Sequence, residues 1–156
     1  MRFTVTSNDL LQQLLTVAKV ISSKSIAAIP VLENILFELK GNTLTLTAAD
    51  QSNRLTSTLE VQNQDGDGSF TVRSGIIIDA LKELPDQPIE VEIDAEAHQA
   101  TVTYSNGHYS FLTSSAEVYP EGLELESKDV RSVELSAQSL LKGLERTVFA
   151  ASDDDR

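Results

Sequence analysis

The chain has 156 residues, of which 24 are acidic and 12 basic, giving a formal net charge of −12; this length suits one domain of ordinary size plus a remnant. The absence of cysteine excludes a disulfide scaffold, a thiolate zinc site and a thiol nucleophile. No stretch reads as a secretion signal or as a membrane span, so the expected setting is cytoplasmic, and the negative balance taken alone argues against a nucleic-acid partner.

Phe3-Thr4-Val5 opens the chain as a period-2 strand and leads through Ser7 into a helical stripe of Leu10, Leu14, Val17 and Ile21, flanked by Leu11, Leu15 and Ala18. Gln12, Gln13, Thr16 and Lys19 take the other face. Thr6 or Ser7 is placed to cap this helix, and Asp9 suits its dipole. Strands are expected at Asn34–Lys40, Thr43–Ala49 and 53–62, with Gly41-Asn42 as a tight turn. Residues 65–69, Asp-Gly-Asp-Gly-Ser, read as a flexible loop.

The opening pattern then returns. Phe70-Thr71-Val72, Ser74, Ile77-Ile78 and Leu81 repeat the first unit at an offset of 67 positions. Pro85 ends the second helix, and strands at 89–94, Gln99–Tyr104 and 108–114 follow, with Asn106-Gly107 as a hairpin turn. After a polar stretch at 121–129, Val133-Glu134-Leu135, Ala137, Leu140-Leu141 and Leu144 begin a third copy, 130 positions after the first. Repeats of this kind mark supersecondary units that bury their faces against one another.

The fold class expected is therefore α+β. Two β-α-β-β-β halves make a pseudo-symmetric first domain over residues 1–122, with two helices on one face of antiparallel sheets; 123–129 form a linker, and 130–156 are the incomplete start of a second copy. One strand and one helix cannot bury Leu140, Leu141 and Leu144, so the sequence reads as cut from something longer.

Charge sorts by element. The helical stretches 7–24, 74–84 and 137–150 carry five bases and four acids, whereas the remainder carries seven bases and twenty acids. Helices that share a surface tolerant of a polyanion would produce this distribution, as would chance segregation on solvated faces. The Asp-Gly-Asp-Gly run at 65–68 lacks the spacing and distal glutamate of a calcium loop and reads as a hairpin loop. Asp153–Asp155 reads as a solvated helix end. His98 and His108 have no paired ligand spacing, the context of Ser22-Ser23-Lys24-Ser25 does not suit a nucleophile, and no glycine loop for phosphate occurs, so no catalytic site is expected.

Ser22-Ser23-Lys24-Ser25 followed by Ile29-Pro30-Val31-Leu32-Glu33-Asn34-Ile35-Leu36, together with Met1–Val5, Leu10-Leu11, Phe70-Thr71-Val72, Leu84-Pro85, Tyr109-Ser110-Phe111 and Tyr119-Pro120, resembles the bacterial sliding clamp family, the beta subunit of DNA polymerase III. The resemblance covers the whole chain and implies the DNA-clamp fold: head-to-tail dimers of three similar domains per chain, helices lining a central channel, sheets outside. It implies a non-catalytic processivity factor without a cofactor, whose partners are duplex DNA irrespective of sequence, the replicative polymerase and the clamp loader. A ring that slides needs topological linkage rather than many phosphate contacts, which reconciles this role with an acidic chain. The chief rival is a β-rich protein-interaction scaffold with no nucleic-acid role, which would make no use of its helix faces.

By the same resemblance, six bases are expected to contact DNA: Lys24, which matches the family's basic DNA-facing loop; Lys82, Lys142 and Arg146, on helices expected to face the channel; Arg73, just before the second helix; and Arg156, which matches an arginine beyond the second-domain helix. The subunit interface is expected around Ile76, His108, Tyr109 and Phe111, with Phe111 as its anchor. Two departures stand out: Ile26-Ala27-Ala28 lengthens the loop before Pro30, and the chain lacks most of the second domain and all of the third, where the family's partner-peptide pocket lies.

Overall fold

A computed structural model describes residues 1–122 and 131–152, except the side chains of 23–25; the expected linker at 123–129, the Asp153–Asp155 run and Arg156 lie outside the described residues. The first half of the repeat supplies β1 (Arg2–Thr6), α1 (Ser7–Val17), α2 (Ser23–Ala28), β2 (Asn34–Lys40), β3 (Thr43–Ala49), β4 (Arg54–Glu60) and β5 (Gln62–Asp65). The second supplies β6 (Gly68–Arg73), α3 (Ser74–Lys82), β7 (Pro88–Asp94), β8 (Gln99–Tyr104), β9 (Gly107–Leu112) and β10 (Ser114–Ser115).

The halves do not each form their own sheet. One sheet runs β5-β1-β7-β8-β9 and the other β10-β6-β2-β3-β4, so the first strand of each half is donated to the sheet of the other. Exchanging each strand of one half for its counterpart in the other converts the first order into the second, which is a pseudo-two-fold written in hydrogen bonds. The donated strands are fully paired. β1 runs antiparallel to β7 from Arg2 opposite Glu92 to Thr6 opposite Pro88, and β6 runs antiparallel to β2 from Asn34 opposite Arg73 to Leu39 opposite Gly68.

The strand alternation then places one apolar face of each sheet inward. Phe3, Val5, Ile35, Phe37, Leu39, Leu44, Leu46, Phe70, Val72, Ile89, Val91 and Val102 form a core continuous between the halves. α1 covers it with Leu10, Leu14 and Val17, and α3 with Ile77, Ile78 and Leu81. α1 lies over β3 and β4, α3 beside β6 and β9, and the two helices pack against each other. The repeated positions are thus repeated because they do the same work twice. A second small cluster on the opposite face of β2 and β3 joins Leu32, Leu36, Ala49 and Tyr119, and burial pushes the Tyr119 hydroxyl pKa upward, opposed by the Ala49 backbone and the Arg54 guanidinium.

Several boundaries differ from expectation for identifiable reasons. The strand expected at 53–62 is two, because the chain changes sheet at Val61, a buried residue whose N–H bonds the Asn42 carbonyl at 2.8 Å. The segment 108–114 likewise divides, β9 staying in one sheet and β10 pairing with β6 in the other. Within residues 65–69 only Gly66 and Asp67 lie outside β5 and β6, a short link between sheets rather than a flexible hairpin loop: Asp67 Oδ1 accepts the Gly41 N–H at 2.9 Å and the Gln64 side-chain amide at 3.1 Å. Asn63 adopts a φ of 50° where the β1–β5 register shifts, as a bulge requires. The first helix stops at Val17, continues as a 3-10 turn over Ala18–Val20, and restarts as α2; Lys24 therefore sits in a short helix rather than a loop.

Thr6 takes the N-cap position of α1 without a side-chain capping bond, and Ser7 is the first residue of the helix. It is buried, its Oγ donates to the Pro85 carbonyl at 3.0 Å and accepts the Gln87 N–H at 3.1 Å, and its own N–H bonds the Gln87 carbonyl at 2.8 Å. It thereby ties the start of α1 to the exit of α3. Ser7→Ala is expected to destabilise the domain by about 1–3 kcal/mol, because a buried acceptor and donor lose their partner together; an unchanged urea midpoint would show the bonds carry no net stability.

Residues 123–156 form a separate unit. Its described part has α4 (Ala137–Glu145), begun by Ser136, whose Oγ accepts the Ser139 N–H at 3.2 Å, and a 3-10 turn over Val148–Ala150. Leu140, Leu141 and Leu144 are more than half exposed. Val133-Glu134-Leu135 is not the strand its pattern suggests. The interlaced topology explains why: the opening strand of each copy is held by the sheet of the other half, and none is paired with this one among the described residues.

Candidate subunit groove and nucleic-acid face

β6 passes into α3 without a loop, so Arg73 and Ile76 emerge at the junction of strand and helix. β9 is the edge strand beside it. Its alternation turns Tyr109 and Phe111 inward and leaves His108, Ser110 and Leu112 outward, with Phe111 only 7% and Leu112 84% exposed. The 3-10 turn over Pro30–Glu33 closes the third side. Between them lies a groove of about 680 Å³ whose apolar lining includes Val31, Ile76, Phe111, Leu112 and Val118. Its polar margin is Arg73, paired through Nε to Glu33 Oε2 at 3.1 Å.

Of the four residues expected at a subunit interface, the structure brings Ile76 and Phe111 to this groove. Phe111 belongs largely to the core, offering one edge outward, while Ile76 is half exposed. Tyr109 packs in tilted contact with Tyr104, ring centroids 5.3 Å apart, and with Phe111, at 6.3 Å; desolvation, reinforced by Tyr104 and Glu83, raises its pKa. His108 is exposed on β9, opposite Thr103, and does not line the groove. Leu112 and Val118 went unselected in the sequence, although Leu112 breaks the alternation by placing an apolar side chain on the outward face.

The basic residues are dispersed. Lys82 closes the last turn of α3, with Nζ 3.1 Å from Asp79 Oδ1. Lys142 lies in the last turn of α4 and Arg146 is its C-cap, both exposed. Arg73 belongs spatially with the groove rather than with these. The side chain of Lys24 and all of Arg156 lie outside the described residues. On α1 and the 3-10 turn that continues it, the exposed positions Asn8, Asp9, Gln12, Thr16 and Lys19 balance to no net charge, and on α3 with its C-cap Glu83, Asp79, Lys82 and Glu83 come close to balance. Among the described residues no group of three or more side chains is disposed to hold a metal ion. No described helix is long and apolar enough to cross a membrane.

Residues 1–124 match the family described as DNA polymerase III beta subunit, N-terminal domain. The chain belongs to that family. It is 28% identical to the beta sliding clamp of Haemophilus influenzae over 99% of its own length and 41% of the relative's, and 30% identical to that of Synechococcus elongatus over 81% and 33%. The crystal structure of the DNA polymerase III subunit beta from Pseudomonas aeruginosa superposes with a TM-score of 0.82 at 29% identity, covering all of this chain and 41% of that one. The chain thus spans about two fifths of the length of these beta subunits, and the interlaced two-sheet domain is their clamp fold.

Proposed function

We propose that this beta-subunit domain serves a ring-forming, non-catalytic processivity factor that encircles duplex DNA and tethers the replicative polymerase in the cytoplasm. The observation that carries this reading is the pairing of a near-neutral helical face with acidic strands. The exposed positions of α1, α3 and the turns that end them are together close to charge balance, whereas Glu90, Glu92 and Asp94 stand outward in sequence along β7. A duplex is tolerated beside the helices and repelled from the sheets, which suits a ring that is linked to DNA without gripping it. Lys24, Lys82, Lys142, Arg146 and Arg156 are the sparse cations through which it would touch phosphate. Tethering raises the effective concentration of polymerase at the primer end.

Arg73 enters this reading at the groove. There, with Ile76, Phe111 and the neighbouring Tyr109 and His108 of β9, it would receive another subunit to close the ring. Polymerase and clamp loader would bind the assembled protein. With the full-length protein and its loader, retention on nicked circular DNA and rapid loss upon linearisation are expected. Equal retention on the two forms would reject encirclement.

A further inference from the structure

We propose that Lys19 and Arg54 together form a contact for one phosphate of the DNA backbone, at a recess where α1 ends against the β3–β4 turn. Both residues line one recess of about 630 Å³, which Ser22, Ser52 and Asn53 also line; the Ser52 hydroxyl is suited to a phosphate oxygen. Lys19 is exposed and has no ion pair among the described residues. Arg54 is held in place: a terminal nitrogen donates to the Pro120 carbonyl at 2.7 Å, and the guanidinium sits 5.8 Å from the Tyr119 ring centroid. A cation fixed before binding loses little entropy when it meets an anion. The one acid in the recess, Asp50, is committed to its own turn, accepting the Ser52 and Asn53 N–H groups at 2.7 and 2.6 Å and the Asn53 side-chain amide at 3.2 Å.

The pseudo-two-fold supplies an internal control. The offset of 67 that carries Ser7 to Ser74 and Leu14 to Leu81 carries Lys19 to Asp86, an exposed acid. The fold is repeated but this charge is not, so packing alone does not account for a base at the end of α1. In a chain of net charge −12, a recess with two bases and one occupied acid is a local exception. It adjoins the segment leading to α2, which contains Lys24. The contact rests on the clamp reading and adds to it a partner site that the resemblance did not supply.

Amide NMR of the labelled chain, titrated at low salt with a short blunt duplex and separately with inorganic phosphate, tests the proposal. The duplex is expected to shift the amides of Lys19, Ser22, Asn53 and Arg54. Lys19→Glu, at an exposed position, is expected to keep the remaining spectrum, weaken duplex binding 3- to 10-fold and lower the salt slope by about one. Arg54 is unsuited as the first substitution because it also packs on Tyr119. Duplex shifts elsewhere on α1, α2 or α3 with the recess silent would overturn this contact and leave the clamp reading standing. Shifts in the recess with phosphate alone would also overturn it, as an anion pocket unrelated to DNA. Failure of the circular-DNA experiment with these shifts intact would instead reject encirclement and retain the phosphate site.

Discussion

Phe37→Ala is expected to lower the unfolding free energy by about 3–5 kcal/mol, a loss comparable with much of the stability of an ordinary domain. Phe37 is 1% exposed at the centre of one sheet, and it stacks on Phe70 with ring centroids 4.8 Å apart and planes inclined by 20°. The two rings face each other across the β2–β6 pairing, so the stack joins the halves of the domain through the donated strand. Truncation removes a ring from a place where neither sheet can collapse inward without breaking register. Urea unfolding would show a lower midpoint with an unchanged slope. Phe70→Ala, 4% exposed, is expected to cost a similar amount, and the double variant less than the sum by about 0.5–1.5 kcal/mol, reflecting the stack. A midpoint for Phe37→Ala within error of the parent would mean that the halves are stabilised independently, contrary to the interlaced sheets.

The strand-helix repeat was readable in the first domain because burial acts on its two halves alike. Phe3 and Phe70, Leu10 and Ile77, Leu14 and Leu81 occupy matched sites in one core, so selection for apolar volume at each leaves a fixed offset in the chain. Pairing between strands left no such mark. A period-2 pattern shows which side chains turn inward but not which neighbour supplies the hydrogen bonds, and β1 bonding to β7 rather than to β2 is a choice among equally apolar faces. For the same reason 53–62 looked like one strand: the alternation persists through Val61 while the chain moves from one sheet to the other.

The candidate site was not readable from burial: Phe111 and Ile76 came from the family resemblance, and the structure adds only that the two side chains line one groove. The partners of the charged residues are not conspicuous, since Arg73 meets Glu33 across 40 positions of chain through a turn that only the fold brings close. Ser7 carries the same lesson. Its place at the start of a helix suggests a cap, yet its hydroxyl is used 78 positions away at Pro85. Lys19 and Arg54, 35 positions apart in the chain, come to line one recess only because the β3–β4 turn lies beside the end of α1.

In the full-length protein, Ile76→Asp is expected to convert a closed dimer largely to monomers at concentrations where the parent remains associated. Ile76 is 49% exposed on α3 while its helical neighbours Ile77 and Ile78 are buried, so its exposure serves no packing within the domain. It shares the groove with Leu112 and Val118, themselves 84% and 59% exposed, and an apolar patch bordered by the Arg73–Glu33 pair has the composition of an interface centre with a polar rim. A carboxylate at the centre would be buried without a partner on association, at a cost of about 2–4 kcal/mol, or roughly 30-fold to nearly 1,000-fold in dissociation constant. The domain's own unfolding midpoint is expected to stay put, since a helix-surface position that faces solvent tolerates aspartate to within about 0.5 kcal/mol. Sedimentation across a dilution series separates the two effects. Dimers that persist at parental affinity would place the subunit contact elsewhere on the molecule, and a fall in both midpoint and association would return Ile76 to the core.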